Sequence, residues 1–455
     1  MLKKLLLIKF LLLGFASFTM GQTLFTVDQL KADLSFYKSK LEQYHPGLYL
    51  YSSKAGIDSY FDSLSALITQ PLDNLGFYKI ITLTSAKIRD GHTLVLPGSE
   101  TTAYHNKNSR FLPLQVGVYK NGLFVKMNCG ATVSIPDGSR IVRINGQTSD
   151  EIIQQLTDRQ VRDGNNSSYA CWILDNYFRE YYSYHFGHPD NFTIEYESEN
   201  GIKKTSISGL SKDSLFYYRS QRYPNFRFDK KPGEGITLKL DTAKHYALLK
   251  IRDFHNDVLR KTYHQPFNET ISGYFSEILN SKVDNLVLDL RDNQGGDIEN
   301  GVYLLSWLLN KPFKVVTGYN CVESQQLVSC KGPSSGSHNP KETPFSGKLY
   351  VLVNGGSFSN SGIVASCLRV NQRAVFIGTE TGGNPNVLTG FPKDFDLPNT
   401  KIKVEIPSKQ FVMTSVSGND GRGLVPEYIV EENVSGYINN RDMVMEFAFK
   451  MIGRQ

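Results

Sequence analysis

The chain is sparing with the residues that most quickly assign a function. It has five cysteines in 455 residues, Cys129, Cys171, Cys321, Cys330 and Cys367. None forms a Cys-x-x-Cys pair or a zinc-type spacing, which excludes a zinc finger and a dithiol redox motif. The basic excess is only +6, and it is scattered. Without a Lys/Arg run there is no electrostatic footprint for nucleic acid. Charged residues make up 21% against 40% hydrophobic ones, a balance that excludes a disordered chain. Past the N-terminus no apolar run is long enough to span a bilayer. The many Tyr and Phe residues therefore read as core, not as base-stacking platforms. No metal or cofactor is implied, and the length fits two or three domains.

The N-terminus carries the one long apolar run. Lys3 and Lys4 precede residues 5–18, which are apolar apart from Lys9, and Thr19-Met20-Gly21-Gln22 follow. This is the three-part pattern of a secretory signal peptide, with cleavage after Gly21. The expected location is outside the cytoplasm, periplasmic or extracellular. Export permits disulfides, and Cys321 with Cys330 would close a small loop. The odd count leaves at least one thiol unpaired.

The stretch 348–369, KLYVLVNGGSFSNSGIVASCLR, organises the rest. Its apolar start reads as a buried strand, Asn354-Gly355-Gly356 as a tight turn, and Ile363, Val364, Cys367 and Val370 as one face of a helix. Ser357, Ser359 and Ser361 then fall at the helix N-terminus, where free backbone N–H groups and the positive end of the dipole lie. Serines in this position serve either as caps or as a nucleophile with oxyanion donors beside it.

In chain order, residues 25–90 read as helices, the first with Leu30, Leu34, Tyr37, Leu41 and Tyr44 on one face. Others are expected at 56–68 and 72–88. The last runs into Arg89-Asp90-Gly91-His92-Thr93 before a strand at 94–96, so His92 sits at a helix-to-strand corner. Residues 111–210 read as strands and a helix. Within them PDGSRIVRINGQTSDEI (136–152) resembles a PDZ domain, a fold that binds extended peptides by strand addition. Residues 159–190 read as an aromatic-rich insertion and 211–235 as a linker. From 236 strands alternate with helices, which predicts a largely parallel, layered sheet. Strands are expected at 246–251, 286–290, 349–353, 374–378, 401–406 and 409–414.

Four motifs now stand in order: LDLRDNQGG (288–296), LVNGGSFSNSG (352–362), VFIGTETGG (375–383) and GRGLVPEY (421–428). With the DGHT of 90–93, they resemble the tail-specific, or C-terminal processing, serine proteases, and within these the tricorn-like branch. The resemblance implies an α/β and α+β multidomain chain. Its parts are a signal peptide (1–21), an N-terminal helical region (22–104), a PDZ-like domain with an insertion (105–210), a linker (211–235) and a ClpP/crotonase-like protease core (236–455).

The same resemblance implies Ser359 as nucleophile, His92 as base, and the amides of Gly295 or Gly296 and of Asn360 as oxyanion donors. One branch of the family places a lysine after the serine instead. Here that place is Asn384, and the next lysine is Lys393. The acid that orients His92 falls on Asp420, with Glu405, Glu380 and Glu427 as rivals. An acidic residue often found three after the nucleophile is Gly362 here, which leaves a degenerate site open. The expected function is an exported serine endopeptidase acting on peptides or unfolded protein termini. The alternative is a binding protein for peptides or small apolar ligands on the same scaffold, as in vertebrate retinoid-binding modules. The oligomeric state is not readable from the sequence.

Overall fold

The computed structural model describes residues 23–132, 134–224, 233–414 and 421–453. The expected signal peptide, part of the expected linker and Asp420 lie outside the described residues.

A six-stranded sheet forms the frame. Its order is Tyr428–Ile429, Val375–Gly378, Lys348–Val353, Asn285–Asp289, Tyr246–Ile251, Ile236–Asp241. All neighbours are parallel except the last pair, which is antiparallel. Asn285–Asp289 is buried along its whole length, as a strand with parallel neighbours and both faces covered should be. Leu286 and Leu288 face a cluster with Ile271, Phe275, Leu304, Leu305 and Val364 from three helices, Phe267–Ser281, Ile298–Leu308 and Asn360–Val370. Val287, Tyr350 and Leu352 face the opposite way, onto Val444 and Ala448 of the C-terminal helix Met443–Ile452. The alternation of one run between two apolar layers follows from the period of two along a strand.

A second sheet joins Leu94–Leu96, Lys403–Met413, Val316–Glu323 and Gln326–Cys330, with Val387–Asp396 also paired to Lys403–Met413. The two strands expected at 401–406 and 409–414 are thus one. The N-terminal helices Val27–Tyr44, Lys54–Leu67 and Asn74–Ile81 pack on this sheet, where Leu30, Leu41, Phe61 and Phe77 share a core with Leu397, Ile402, Val404 and Ile406. The helix expected over 72–88 is broken into Asn74–Ile81 and Thr84–Ile88. At the break Thr82 Oγ1 donates to the Tyr78 carbonyl (2.7 Å), the local back-bonding by which threonine bends helices.

A third sheet runs Leu114–Tyr119, Gly122–Asn128, Arg140–Ile144, Asn191–Ser198, Gly201–Ser208, with Gln147–Thr148 on its third strand. Helices Ser149–Thr157 and Ser168–Phe186 close its core around Leu123, Ile141, Ile152, Leu174 and Phe178. Residues expected as a linker instead contain the helix Lys212–Arg222, whose Leu215 packs with Phe111 and Met127 of this unit. All five cysteines are free thiols. Cys321 and Cys330 lie on paired strands.

Candidate active site

The C-terminal ends of the two central strands, Asn285–Asp289 and Lys348–Val353, lie side by side in register. Two loops leave them, 290–296 and 354–359, and they are bonded to each other. Asn354 Oδ1 accepts from the amides of Asp292 (3.0 Å) and Gly356 (3.0 Å), and Asn354 Nδ2 donates to Asp292 Oδ1 (2.8 Å). Phe358 N donates to the Asn293 carbonyl (3.1 Å). Ligands gather at this edge in layered α/β sheets.

The three serines separate here. Ser357 is fully buried, donates to the Leu290 carbonyl (2.8 Å) and accepts from Asn354 N (3.1 Å), so it fastens the turn. Ser361 is fully buried in the first turn of the helix. Ser359 alone is half-exposed. Its backbone is at φ 53°, ψ −122°, a conformation that costs a non-glycine residue on the order of 1–3 kcal/mol. The neighbouring turn and helix hold it there, and its Oγ faces His92, with Nε2 at 3.1 Å.

His92 comes from the corner before Leu94–Leu96. Its backbone amide donates to Asp90 Oδ1 (2.9 Å), and Asp90 also accepts from Thr93 Oγ1 (3.0 Å) and Thr389 Oγ1 (2.7 Å). The ring stacks on Phe358 (centroids 4.6 Å apart, 29°), and Phe358 stacks on Tyr169 (4.1 Å, 10°). Nδ1 of His92 is buried and has no hydrogen-bond partner among the described residues. Burial lowers the His92 pKa below the usual 6.5. The Asp90 carboxylate opposes that shift and His45 adds to it. The ring is therefore held neutral near pH 7, the form that accepts a proton from a serine hydroxyl.

The glycine loop lies against the serine. Gly295 has φ +103°, and a Cβ on it would stand 2.6 Å from Ser359 Cβ and 2.7 Å from Asn360 N. Only glycine fits such an approach. Its own N–H donates to Asn293 Oδ1 (2.8 Å). Gly296 follows with φ +132°. Asn360 is the first residue of the helix and binds the Asp297 carbonyl through Nδ2 (2.6 Å). Ser359 and its neighbour Asn360, His92 and Gly295 are thus brought together from three separate places in the chain.

The rival acids are engaged elsewhere. Glu380 pairs with Arg422 (2.6 Å) and accepts from Gly423 N (2.8 Å). Glu405 pairs with Lys403 (2.9 Å). Glu427 pairs with Arg369 (2.9 Å) and accepts from Phe376 N (2.8 Å). Lys393 lies over the Tyr44 ring (4.2 Å). Asn384 donates to the Tyr51 hydroxyl through Nδ2 (2.8 Å). Among the described residues no group of three or more His, Cys, Asp or Glu side chains is placed to hold a metal ion.

Sequence reasoning missed what the 159–190 segment supplies. The segment reaches the loops of the site. Tyr169 lies behind Phe358, and Trp172 Nε1 donates to Asp292 Oδ1 (2.8 Å). Asp163 accepts from the amides of Gly91 (2.8 Å) and Asn384 (3.2 Å). A lone Asp-Gly in a loop gives no signal of this.

Residues 245–429 match peptidase family S41. The matched stretch contains Ser359, Gly295, Gly296 and Asn360, while His92 reaches it from outside. A carboxy-terminal-processing protease of Bartonella bacilliformis is 29% identical over 157 residues, 34% of this chain and 33% of that protein. Carboxyl-terminal-processing peptidase 2 of Arabidopsis thaliana chloroplasts is 29% identical over 130 residues, 29% of this chain and 24% of that protein. The matched stretch thus spans a third or less of the length of these two relatives. The fold extends further than the sequence match. The crystal structure of mature CPAF superposes with a TM-score of 0.67 at 12% identity, covering 94% of this chain and 96% of that one.

Proposed function

We propose that this protein is an exported serine endopeptidase that cleaves peptides or unfolded protein termini through an acyl-enzyme on Ser359. The observation that carries the reading is the 3.1 Å contact between His92 Nε2 and Ser359 Oγ at the edge of an S41 segment. His92 takes the hydroxyl proton as the serine attacks a carbonyl carbon. The C–O bond to Ser359 forms as the carbonyl π bond breaks, leaving an oxyanion. The amides of Gly296 and Asn360 are its donors, joined by Gly295 once its N–H is released from Asn293. His92 then protonates the leaving amine as the C–N bond breaks and the acyl-enzyme forms; a water that gives its proton to His92 attacks the ester carbon, and the ester C–O bond breaks as that proton returns to Ser359 Oγ. Asp420 keeps the role the resemblance implies, an acceptor for His92 Nδ1. Residues 1–21 direct export, the 105–210 unit is PDZ-like, and the core from 236 is of the ClpP/crotonase-like type.

The test is labelling with a fluorophosphonate, with Ser359→Ala and His92→Ala beside the wild type and the modified peptide identified by mass spectrometry. Label on Ser359 in the wild type and in neither variant is the expected result. A wild type that takes no label, with the same fold by circular dichroism, overturns the reading in favour of a binding protein on this scaffold.

A further inference from the structure

Asp163 lies between the helices Ser149–Thr157 and Ser168–Phe186, in the unit built on the third sheet. Its side chain nevertheless ends beside the Ser359–His92 pair and is only 3% exposed. Oδ1 accepts from Gly91, the residue directly before His92, and Oδ2 accepts from Asn384. The loop that carries Asn384 lies against the serine, since a Cβ on Gly383 would stand 3.6 Å from Ser359 N. One carboxylate therefore spans the two loops that flank the pair. The fit at Gly91 is tight: a Cβ there would meet the Phe358 ring at 2.6 Å and Asp163 Oδ1 at 2.9 Å.

The backbone around Asp163 is itself tied to the same loops. Gly164 N donates to the Arg89 carbonyl (2.9 Å), Asn165 N to the Gly421 carbonyl (2.8 Å), and Asn166 Nδ2 to the Thr381 carbonyl (2.7 Å). Burying a carboxylate is costly unless hydrogen bonds compensate it, and here the like charge of Asp90 adds to the cost. A neutral side chain would pack the same space without that penalty. What the charged group adds is two amide acceptors in fixed places.

We propose that Asp163 is a positioning residue, whose carboxylate holds the backbone of His92 against the loop beside Ser359 and so keeps Nε2 within reach of Oγ. This rests on the peptidase reading for its catalytic meaning, but its geometric content stands without it.

The groups that face Asp163 give the proposal a signature in pH. They are Asp90 from the His92 loop, Tyr51 from the segment after the first helix, and Tyr169 from Ser168–Phe186. The Arg89 guanidinium is directed at Asn165 Oδ1 (3.1 Å). Both tyrosines are raised above their ordinary 10, chiefly by burial, and stay neutral at working pH. Burial, then the Asp90 charge, push Asp163 up to about 7, against the two amides. His92 lies below 6.5. As pH falls, Asp163 takes its proton first. The protonated oxygen becomes a donor, loses its amide, and the pair loosens before His92 itself is charged.

The experiment measures the second-order rate of fluorophosphonate labelling from pH 5 to 9 for the wild type and Asp163→Asn. The His92 imidazole is followed in parallel by NMR of histidine-labelled protein, assigned with His92→Ala. The wild-type rate is expected to fall through an inflection near pH 7, and the His92 signal to carry that inflection as well as its own below 6.5. Asp163→Asn is expected to label tenfold or more slowly at pH 8, with the inflection near 7 gone from both readouts. A variant that labels at the wild-type rate, or labels slowly but keeps the inflection near 7, overturns the proposal. If the variant does not fold, the wild-type NMR titration alone decides: a His92 signal without the inflection near 7 overturns it. A wild type that shows both inflections but takes no label sinks the peptidase reading and leaves the positioning of His92 intact.

Discussion

His92 Nε2 and Ser359 Oγ stand 3.1 Å apart although 267 positions separate them in the chain. Two different sheets deliver them, the serine from the end of Lys348–Val353 and the histidine from the corner before Leu94–Leu96. Neither side chain is free to wander. Ser359 is fixed by the turn that Ser357 and Asn354 fasten, and His92 by the stacked Phe358 ring and the Asp90 bond to its amide.

That division of labour between neighbouring serines is testable. Ser359→Ala, which removes the proposed nucleophile, is expected to abolish labelling and peptide cleavage without changing the melting temperature by much. Ser357→Ala leaves the Asn354 amide without its acceptor inside the protein, a loss worth about 1–3 kcal/mol. It lowers stability in urea titrations and retains measurable labelling at Ser359. The reverse pattern would move the nucleophile to Ser357.

Gly295 offers a second check, this time on the oxyanion site. Any Cβ there presses on Ser359 and on the Asn360 amide, and φ +103° is itself unfavourable for alanine. Gly295→Ala should reduce the rate of peptide hydrolysis by roughly 10²–10³-fold, the loss seen when one oxyanion donor is removed. Steady-state kinetics with a fluorogenic peptide measures it. A near wild-type kcat would place the oxyanion elsewhere.

The central strands were readable because strands buried on both faces appear as unbroken apolar runs, and because a glycine pair after such a run marks a loop at its end. His92 was readable from its turn. Lys403–Met413 looked like two strands because Pro407-Ser408 interrupts the pattern. The register explains why one strand tolerates it. Residues 403–405 pair on one side with Leu94–Leu96, and residues 410–413 pair there with Val316–Asn320, but between them only Val387–Asp396 is alongside. A proline is accepted where one side of the strand lacks a ladder partner. Asp163 was not readable at all. Its partners are two backbone amides, and a backbone partner leaves no mark in the sequence of either loop.

Behind the glycine loop, Arg291 forks between Asp289 and Asp442, the latter at the start of the C-terminal helix. Burial alone would raise the Asp289 carboxyl, but the bonds and charge of Arg291, with Lys250, outweigh it and hold it at about 2. Asp289 is 1% exposed, so Arg291→Met leaves that buried charge with Lys250 (3.0 Å) as its remaining cationic partner. Breaking a buried pair outright costs roughly 3–5 kcal/mol, and Lys250 keeps the loss below that. Urea denaturation should show that loss, and because the loop 292–296 follows directly, labelling at Ser359 should slow with it. A cost below about 1 kcal/mol would mean the network is solvated and is not what holds the loop.

Acid should destabilise the fold through its histidines. His45, His92, His105 and His188 all have pKa values lowered first of all by burial. Burial, then the charges of Arg159 and Lys79, push His185 down to about 4. A histidine with a lowered folded-state pKa favours the fold fully above its unfolded value of about 6.5. That contribution is lost as pH falls toward the folded value, because the unfolded chain binds the proton first. Asp163 runs the other way. Its raised pKa makes a contribution that is full below about 3.9 and lost as pH rises through about 7. His255, raised by its bond to Asp253, also favours the fold at lower pH. Glu432, raised first of all by burial, does the same. Five lowered histidines against these three groups predict a melting temperature that drops between pH 6.5 and 4. His185→Gln should flatten the lower part of that drop, because His185 titrates there and lies outside the Ser359–His92 pair. Thermal melts at half-unit steps of pH decide it: an unchanged slope in the variant would mean that His185 keeps an ordinary pKa in the folded chain.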